Sequence, residues 1–309
     1  MFNTDVIAYD EKKLVKLKWY FPIFLPLIIV LSSIGILNYY RTVNYFRNYN
    51  HLNAYIRNKL HQRASNHYHK VLWIKAAGID GDVIVADGVR KQDRYLYLYD
   101  PIVRYPNLVS RFIFFENVYT FDWSDSNLLN IRCLPMFTAK QPPMTNSSTF
   151  PAENDLVYVG SFTPQRFLSC IVLIMFSKGI KYRLILVNKF LLDFNFFGVE
   201  LKNKNLTRDS LMKLYNKSKI VLELRDLDQA GPSQRKNDSL NIGLQYLSIP
   251  SINLRGIKKY YNLNLSIQMI LNRKNKKNLF KVPQYENESQ LNADNFLMKV
   301  LNLETSSDR

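Results

Sequence analysis

A chain of 309 residues with a 47% apolar fraction can bury two compact cores or one large one, which excludes a disordered polypeptide. Lysine and arginine exceed aspartate and glutamate by 42 to 25, a formal charge of +17 that suits nucleic acid, anionic head groups or phosphorylated substrates without choosing among them. Cys133 and Cys170 lie far apart with no CxxC spacing, which excludes a disulfide framework and reads as reduced core thiols. His51, His61, His67 and His69 have no carboxylate at ligand spacing, which argues against a metal site.

In chain order, residues 19–37 (WYFPIFLPLIIVLSSIGIL) carry no charge and are just long enough to span a bilayer, but Pro22 and Pro26 fall in their first half. Lys12, Lys13, Lys16 and Lys18 precede the run and Arg41 and Arg47 follow it, so no orientation is set. Two readings stay open, a buried helix and a membrane-inserted or surface-lying anchor. Tyr39, Val43, Phe46, Leu52, Ile56 and Leu60 then predict an amphipathic helix broken near Asn50.

Strand-like segments follow at 71–78, at 82–90 (DVIVADGVR) and at 95–100, a short helix and a strand within 111–122, and a last strand at 131–137. Residues 138–154 hold three prolines amid Ser, Thr and Asn and read as a linker. A second series starts beyond them: strand and turn at 156–162, a helix from 164 to about 179, then YRLILVN, SLMKLYNKS and KIVLEL as strand, helix and strand. A helix with Leu240, Leu244 and Leu247 at its apolar positions, a strand at SIPSINL and a closing helix at NADNFLMKVLNL complete the series. The expectation is an α/β protein with mainly parallel sheets in two lobes, 1–140 and 155–309, facing a cleft in which ligands meet the carboxyl ends of the strands. The RKNKK cluster at 273–277 reads as a solvated surface run or as an attraction to anionic membrane. No RNP-like sequence, zinc finger or helix-turn-helix appears, so nucleic-acid binding rests on charge alone.

Two strand–turn–helix mouths of the second half could carry chemistry. At 228–250 a polar loop with Gly231 and Ser233 opens a helix whose first N–H groups and dipole favour an anion; Arg235 is spaced to meet a phosphate and Asp238, on the same face, to accept from sugar hydroxyls. The bland alternative is a Ser233 cap and a weak Arg235–Asp238 surface pair. At 156–166 the strand ends in Gly160 and Ser161, with Arg166 shortly after; Gly160 allows close backbone approach to a ligand.

YLYDPIVRYPN (97–107, with Asp100), ENVYTFDWSDSNLLNIRCLPMF (116–137, with Asp122, Leu134, Pro135 and Phe137), VYVGSFTPQR (157–166) and 215–243 with Gln229, Gly231, Ser233, Arg235 and Asp238, taken in that order, resemble bacterial capsular and lipopolysaccharide glycosyltransferases of the CgeB-related group, with the GT-B fold. The resemblance covers about residues 70–265 and implies two Rossmann-like lobes, the first without its initial βα unit. It implies a nucleotide-diphosphate sugar donor held by Gly160, Ser161, Arg166, Gly231, Ser233, Arg235 and Asp238, a glycan or lipid-linked glycan acceptor on the first lobe, and no metal or cofactor. It further implies a cytoplasmic setting at the inner membrane face. Asp238 stands where the group carries Glu, one methylene longer. Asp100 is the candidate base for the acceptor hydroxyl, or else a strand-end carboxylate capping the next turn. A basic, non-catalytic membrane-associated scaffold would account for the apolar run and the charge equally.

Overall fold

The computed structural model describes residues 5–9, 11–63, 66–136, 152–176, 179–188, 193–225, 234–251, 297–298 and 301. The first half runs α1 (Glu11–Leu14), β1 (Lys16–Leu17), α2 (Phe21–Ser33), α3 (Tyr39–Tyr45), β2 (Arg47–Asn48), α4 (Asn50–Gln62), β3 (Val71–Ile74), α5 (Gly81–Val85), β4 (Arg94–Leu98), β5 (Asn117–Thr120), α6 (Trp123–Leu129) and β6 (Arg132–Cys133). The second runs β7 (Asn154–Ser161), α7 (Pro164–Phe176), β8 (Tyr182–Val187), β9 (Phe194–Phe196), β10 (Val199–Lys202), α8 (Arg208–Asn216), β11 (Ser218–Arg225), α9 (Gln234–Asn241) and β12 (Gln245–Pro250).

Two parallel sheets result. The first is ordered β3-β4-β5-β6, each strand beside its sequence neighbour, without a reversal. The second is ordered β12-β11-β7-β8-β10-β9, with only the edge strand β9 antiparallel, in a hairpin with β10. Counting parallel strands from β7, that order is 5-4-1-2-3, the doubly wound arrangement, and its reversal falls between β7 and β11. Continuous burial of β4, of Leu156–Gly160 in β7 and of Ile220–Leu224 in β11 follows from having helices on both faces, which is why these strands read as unbroken apolar runs. The β9–β10 hairpin is absent from the sequence expectation.

Two segments depart from expectation. DVIV folds as α5, not as a strand: the carbonyl of Asp80 accepts from the amides of Val83 and Ile84, both at 3.1 Å, and these two side chains enter the core of the first half. For so short an apolar run, packing decides over the β-propensity of its Val and Ile. The helix expected to carry Leu244 and Leu247 ends at Asn241, because Gly243 takes φ +71° and turns the chain into β12, where Leu247 pairs with Leu222. The break expected near Asn50 falls between α3 and α4, and most of the linker and of the closing segment lie outside the described residues.

The run at 19–37 becomes the 13-residue α2. Pro22 sits in its first turn, where a missing N–H costs nothing. Phe21 and Ile28 enter the core of the second sheet, joined by Tyr39, Val43 and Phe46 from α3 to Phe46. No helix among the described residues is long and apolar enough to cross a membrane. The opposite end of the chain crosses the other way: Leu297 and Leu301 pack on the Tyr95–Tyr97–Tyr119 cluster of the first sheet, and Lys70 Nζ donates to the carbonyl of Leu301.

The edge of the first sheet is anchored by a buried ion pair. Arg94 Nε lies 2.9 Å and Arg94 Nη2 2.9 Å from Asp87 Oδ1, and the indole N–H of Trp73 donates to Asp87 Oδ2 at 3.2 Å. The side chains are 8% and 1% exposed, so removing one partner strands a desolvated charge. Asp87→Ala should therefore lower stability by about 3–5 kcal/mol in urea denaturation; a change under about 1 kcal/mol would show that the pair is not buried in solution.

Candidate functional site

A cavity of about 260 Å³ lies at the carboxyl ends of β7 and β8, lined by Gly160, Ser161, Val187, Asn205, Tyr215 and Arg235 among others. It sits beside the strand-order reversal, where open α/β sheets bind ligands. Of the expected donor residues, Gly160, Ser161 and Arg235 are brought together there. Gly231 and Ser233 lie outside the described residues.

Arg235, in the first turn of α9, is the cation of this cavity. Its Nη1 is 3.6 Å from Glu223 Oε1 and its guanidinium carbon 5.9 Å from the centre of the Tyr158 ring. Burial works against its charge, but Tyr158 and Glu223 more than offset that and raise its pKa, so it stays protonated. Glu223 is shared, accepting also from the hydroxyls of Tyr246 and Ser248. The 3.6 Å pair is too long for a hydrogen bond and leaves the guanidinium donors able to turn to an anion. The hydroxyls of Tyr158 and Tyr215, both buried, have no hydrogen-bond partner among the described residues; burial pushes the Tyr215 phenol up to about 12, so it remains a donor at neutral pH.

Gly160 has a packing reason to be glycine beside the one expected. A Cβ there would meet the Tyr158 hydroxyl oxygen at 2.1 Å, because residues 158 and 160 share a face of β7. Its missing side chain makes room for a phenol of the same strand.

Arg166 does not line the cavity. It is 4% exposed, its Nε donates to the carbonyl of Leu224 at 3.1 Å, and its Nη1 donates to the carbonyl of Ser161 at 3.2 Å and to the Tyr40 hydroxyl at 2.9 Å. It thus ties the ends of β7 and β11 to each other and to α3. Asp238 is buried and turned to α8, with its Oδ1 3.2 Å from Arg208 Nη2. Burial raises its pKa against the opposing pull of Arg208 and Arg235.

Asp100 belongs to the first sheet, just past β4. Its carboxylate is held by Lys75 Nζ at 3.1 Å and Arg104 Nη1 at 2.9 Å. Burial alone would raise its pKa, but the two cations hold it below the usual carboxylate range. Such a carboxylate is ionised and correspondingly weak as a base. Lys75 takes φ +73°, an uncommon backbone state for a side-chain-bearing residue, and its amide is fixed to the carbonyl of Tyr97 at 2.9 Å. The two sheets meet at this point. Tyr99 is within electrostatic reach of Asp100, Asp238, Lys75 and Arg235, and Arg104 lies 4.3 Å over the ring of Tyr40, whose hydroxyl receives Arg166.

Sequence reading gave no role to Tyr40, to Lys75, to Arg104, which lies within the quoted YLYDPIVRYPN stretch, or to Asp125. The buried Asp125, in the first turn of α6, accepts from the amide of Ile102 at 2.8 Å; α6 itself is capped by Asp122, which accepts from Ser124 N–H at 2.9 Å. Burial, with the neighbouring Asp122, raises the Asp125 pKa to about 6. Because the folded value lies above the unfolded one, the fold gives up stability as pH rises from about 4 to about 6. Asp125→Asn, which keeps an acceptor for Ile102, should flatten that loss in thermal melts taken across this window; an unchanged slope would mean that Asp125 titrates normally. Among the described residues no group of three or more His, Cys, Asp or Glu could hold a metal ion.

No family model matches the chain, and no curated protein matches it. Among solved structures, one of a trehalose-6-phosphate synthase, studied with bisubstrate glycomimetics for glycosyl transfer with retention, is similar with a TM-score of 0.47 at 9% identity, covering 83% of this chain and 77% of that one. A likeness of that size carries no argument about activity.

Proposed function

We propose that the protein is a glycosyltransferase of GT-B type that moves a sugar from a nucleotide-diphosphate donor onto a surface-polysaccharide acceptor, a glycan or lipid-linked glycan, at the cytoplasmic face of the membrane. One observation carries the reading: a protonated arginine, Arg235, opens α9 beside Gly160 and Ser161 in a cavity at the strand-order reversal. The ordered motifs noted in the sequence support it. In such a reaction the departing nucleoside diphosphate gains negative charge as the sugar becomes oxocarbenium-like, so a cation fixed at the diphosphate stabilises the transition state more than the ground state. Arg235 would supply that charge, with the Tyr215 hydroxyl as a further donor. Arg166 would act as a positioning residue, holding Ser161 and the end of β11 in register. Asp238, engaged by Arg208, would reach a ribose only by exchanging that partner. On the first sheet, Asp100 would orient or deprotonate the acceptor hydroxyl.

The double ion pairing of Asp100 favours a second reading, a non-catalytic scaffold in polysaccharide assembly, since it lowers the basicity that acceptor activation needs. Calorimetric titration with the diphosphates of uridine, guanosine, adenosine and cytidine separates the two. The transferase should bind one of them saturably, and Arg235→Ala should weaken that binding about tenfold to a hundredfold, the worth of a charge-assisted bond. Absence of saturable binding, or an Arg235→Ala variant that binds as the parent does, would favour the scaffold.

A further inference from the structure

α2 is apolar on every side, and a helix of that kind needs cover all round. Among the described residues, α7 and the core of the second sheet cover one face only. The other presents Ile23, Leu27 and Val30 at 68%, 54% and 57% exposure, with Phe24 beside them and Trp19, just ahead of the helix, at 83%. Residues 23, 27 and 30 fall on one helical stripe. Isolated exposed apolar residues need no explanation, but a contiguous stripe marks an interaction surface.

The charge around the stripe identifies what covers it. Lys13 and Lys16 on the segments before α2 and Arg41 on α3 after it are exposed, and Lys18 lies over the ring of Tyr45 at 4.7 Å. Residues 12–47 contain no aspartate or glutamate and six lysines and arginines. A second copy of this chain would bring the same positive rim against itself, whereas an anionic bilayer offers apolar chains beneath negative head groups. The length agrees, since 13 residues make a helix of about 20 Å, too short to cross a hydrocarbon layer of about 30 Å but able to lie along its surface.

We propose that the outer face of α2 docks on an anionic lipid surface, with Trp19, Ile23, Leu27 and Val30 at the level of the acyl chains and the flanking lysines and Arg41 among the head groups. The proposal stands apart from the donor reading, since Arg235 takes no part in it.

Full-length protein would be sedimented with vesicles of pure phosphatidylcholine and of phosphatidylcholine mixed equally with phosphatidylglycerol. Binding to the anionic vesicles should be at least about tenfold tighter and should fall with added salt. Trp19 emission should shift to shorter wavelength on binding, a change absent in Trp19→Phe. Ile23→Ser with Leu27→Ser, and separately Lys13→Glu with Lys16→Glu, should each weaken binding about tenfold or more while circular dichroism and melting stay as in the parent, because these side chains face solvent. Arg235→Ala should bind vesicles within about twofold of the parent. Equal affinity for the two vesicle types, variants that bind like the parent, or sedimentation velocity showing a lipid-free dimer that Ile23→Ser with Leu27→Ser dissolves, would overturn the proposal, the last in favour of self-association.

Discussion

The phenol of Tyr40 holds the two halves together at the point where chemistry is expected. Arg104 stacks on its ring and Arg166 donates to its hydroxyl, and these two arginines reach in opposite directions, one to the carboxylate of Asp100 and the other to the carbonyls of Ser161 and Leu224. A chain of polar contacts thus runs from the end of β4 in the first sheet to the ends of β7 and β11 in the second. Each guanidinium has acceptors that satisfy it, which offsets the cost of burying its charge. Stacking suits arginine and not lysine, because only a planar cation can lie on an aromatic face while still offering in-plane N–H groups. The relative setting of Arg235 and Asp100 depends on this bridge.

Hydrophobic packing reinforces it by exchange of the chain's ends. α2 and α3 precede the first sheet in sequence but complete the core of the second, and Leu297 and Leu301 return to the first. Neither sheet buries its apolar face with its own crossover helices alone. Pulling α2 and α3 from the second sheet would expose Phe21, Ile28, Tyr39 and Val43, and removing Leu297 and Leu301 would uncover the tyrosine cluster of the first.

Three of the six described strands of the second half were legible from sequence because a buried parallel strand is a run of apolar residues with little else it can become; LVYVG, YRLILV and KIVLEL all form strands within a residue or two of expectation, whereas the strand expected at SIPSINL begins three residues earlier, at Gln245. What failed was decided by other segments. DVIV could not be told from a strand until Val83 and Ile84 had a core to enter, and the helix at 234 ended early because Gly243 took a left-handed turn that its position alone does not announce. In the site, Gly160, Ser161 and Arg235 were legible from spacing, since a strand, a turn and a helix mouth are local. The burial of Arg166 was not, as it depends on Tyr40, 126 residues away in sequence. For the same reason Lys75 and Arg104 had no signature: they matter through Asp100, and only the fold brings the three together.

The Tyr158 hydroxyl fills the place that a Cβ on residue 160 would take, so these two positions form one unit of inheritance. Among descendants of such a chain, any side chain at 160 would first require a shorter residue at 158. That change would in turn take the ring away from Arg235. The backbone opening beside the cavity and the electrostatic setting of its cation would therefore be expected to drift together or not at all.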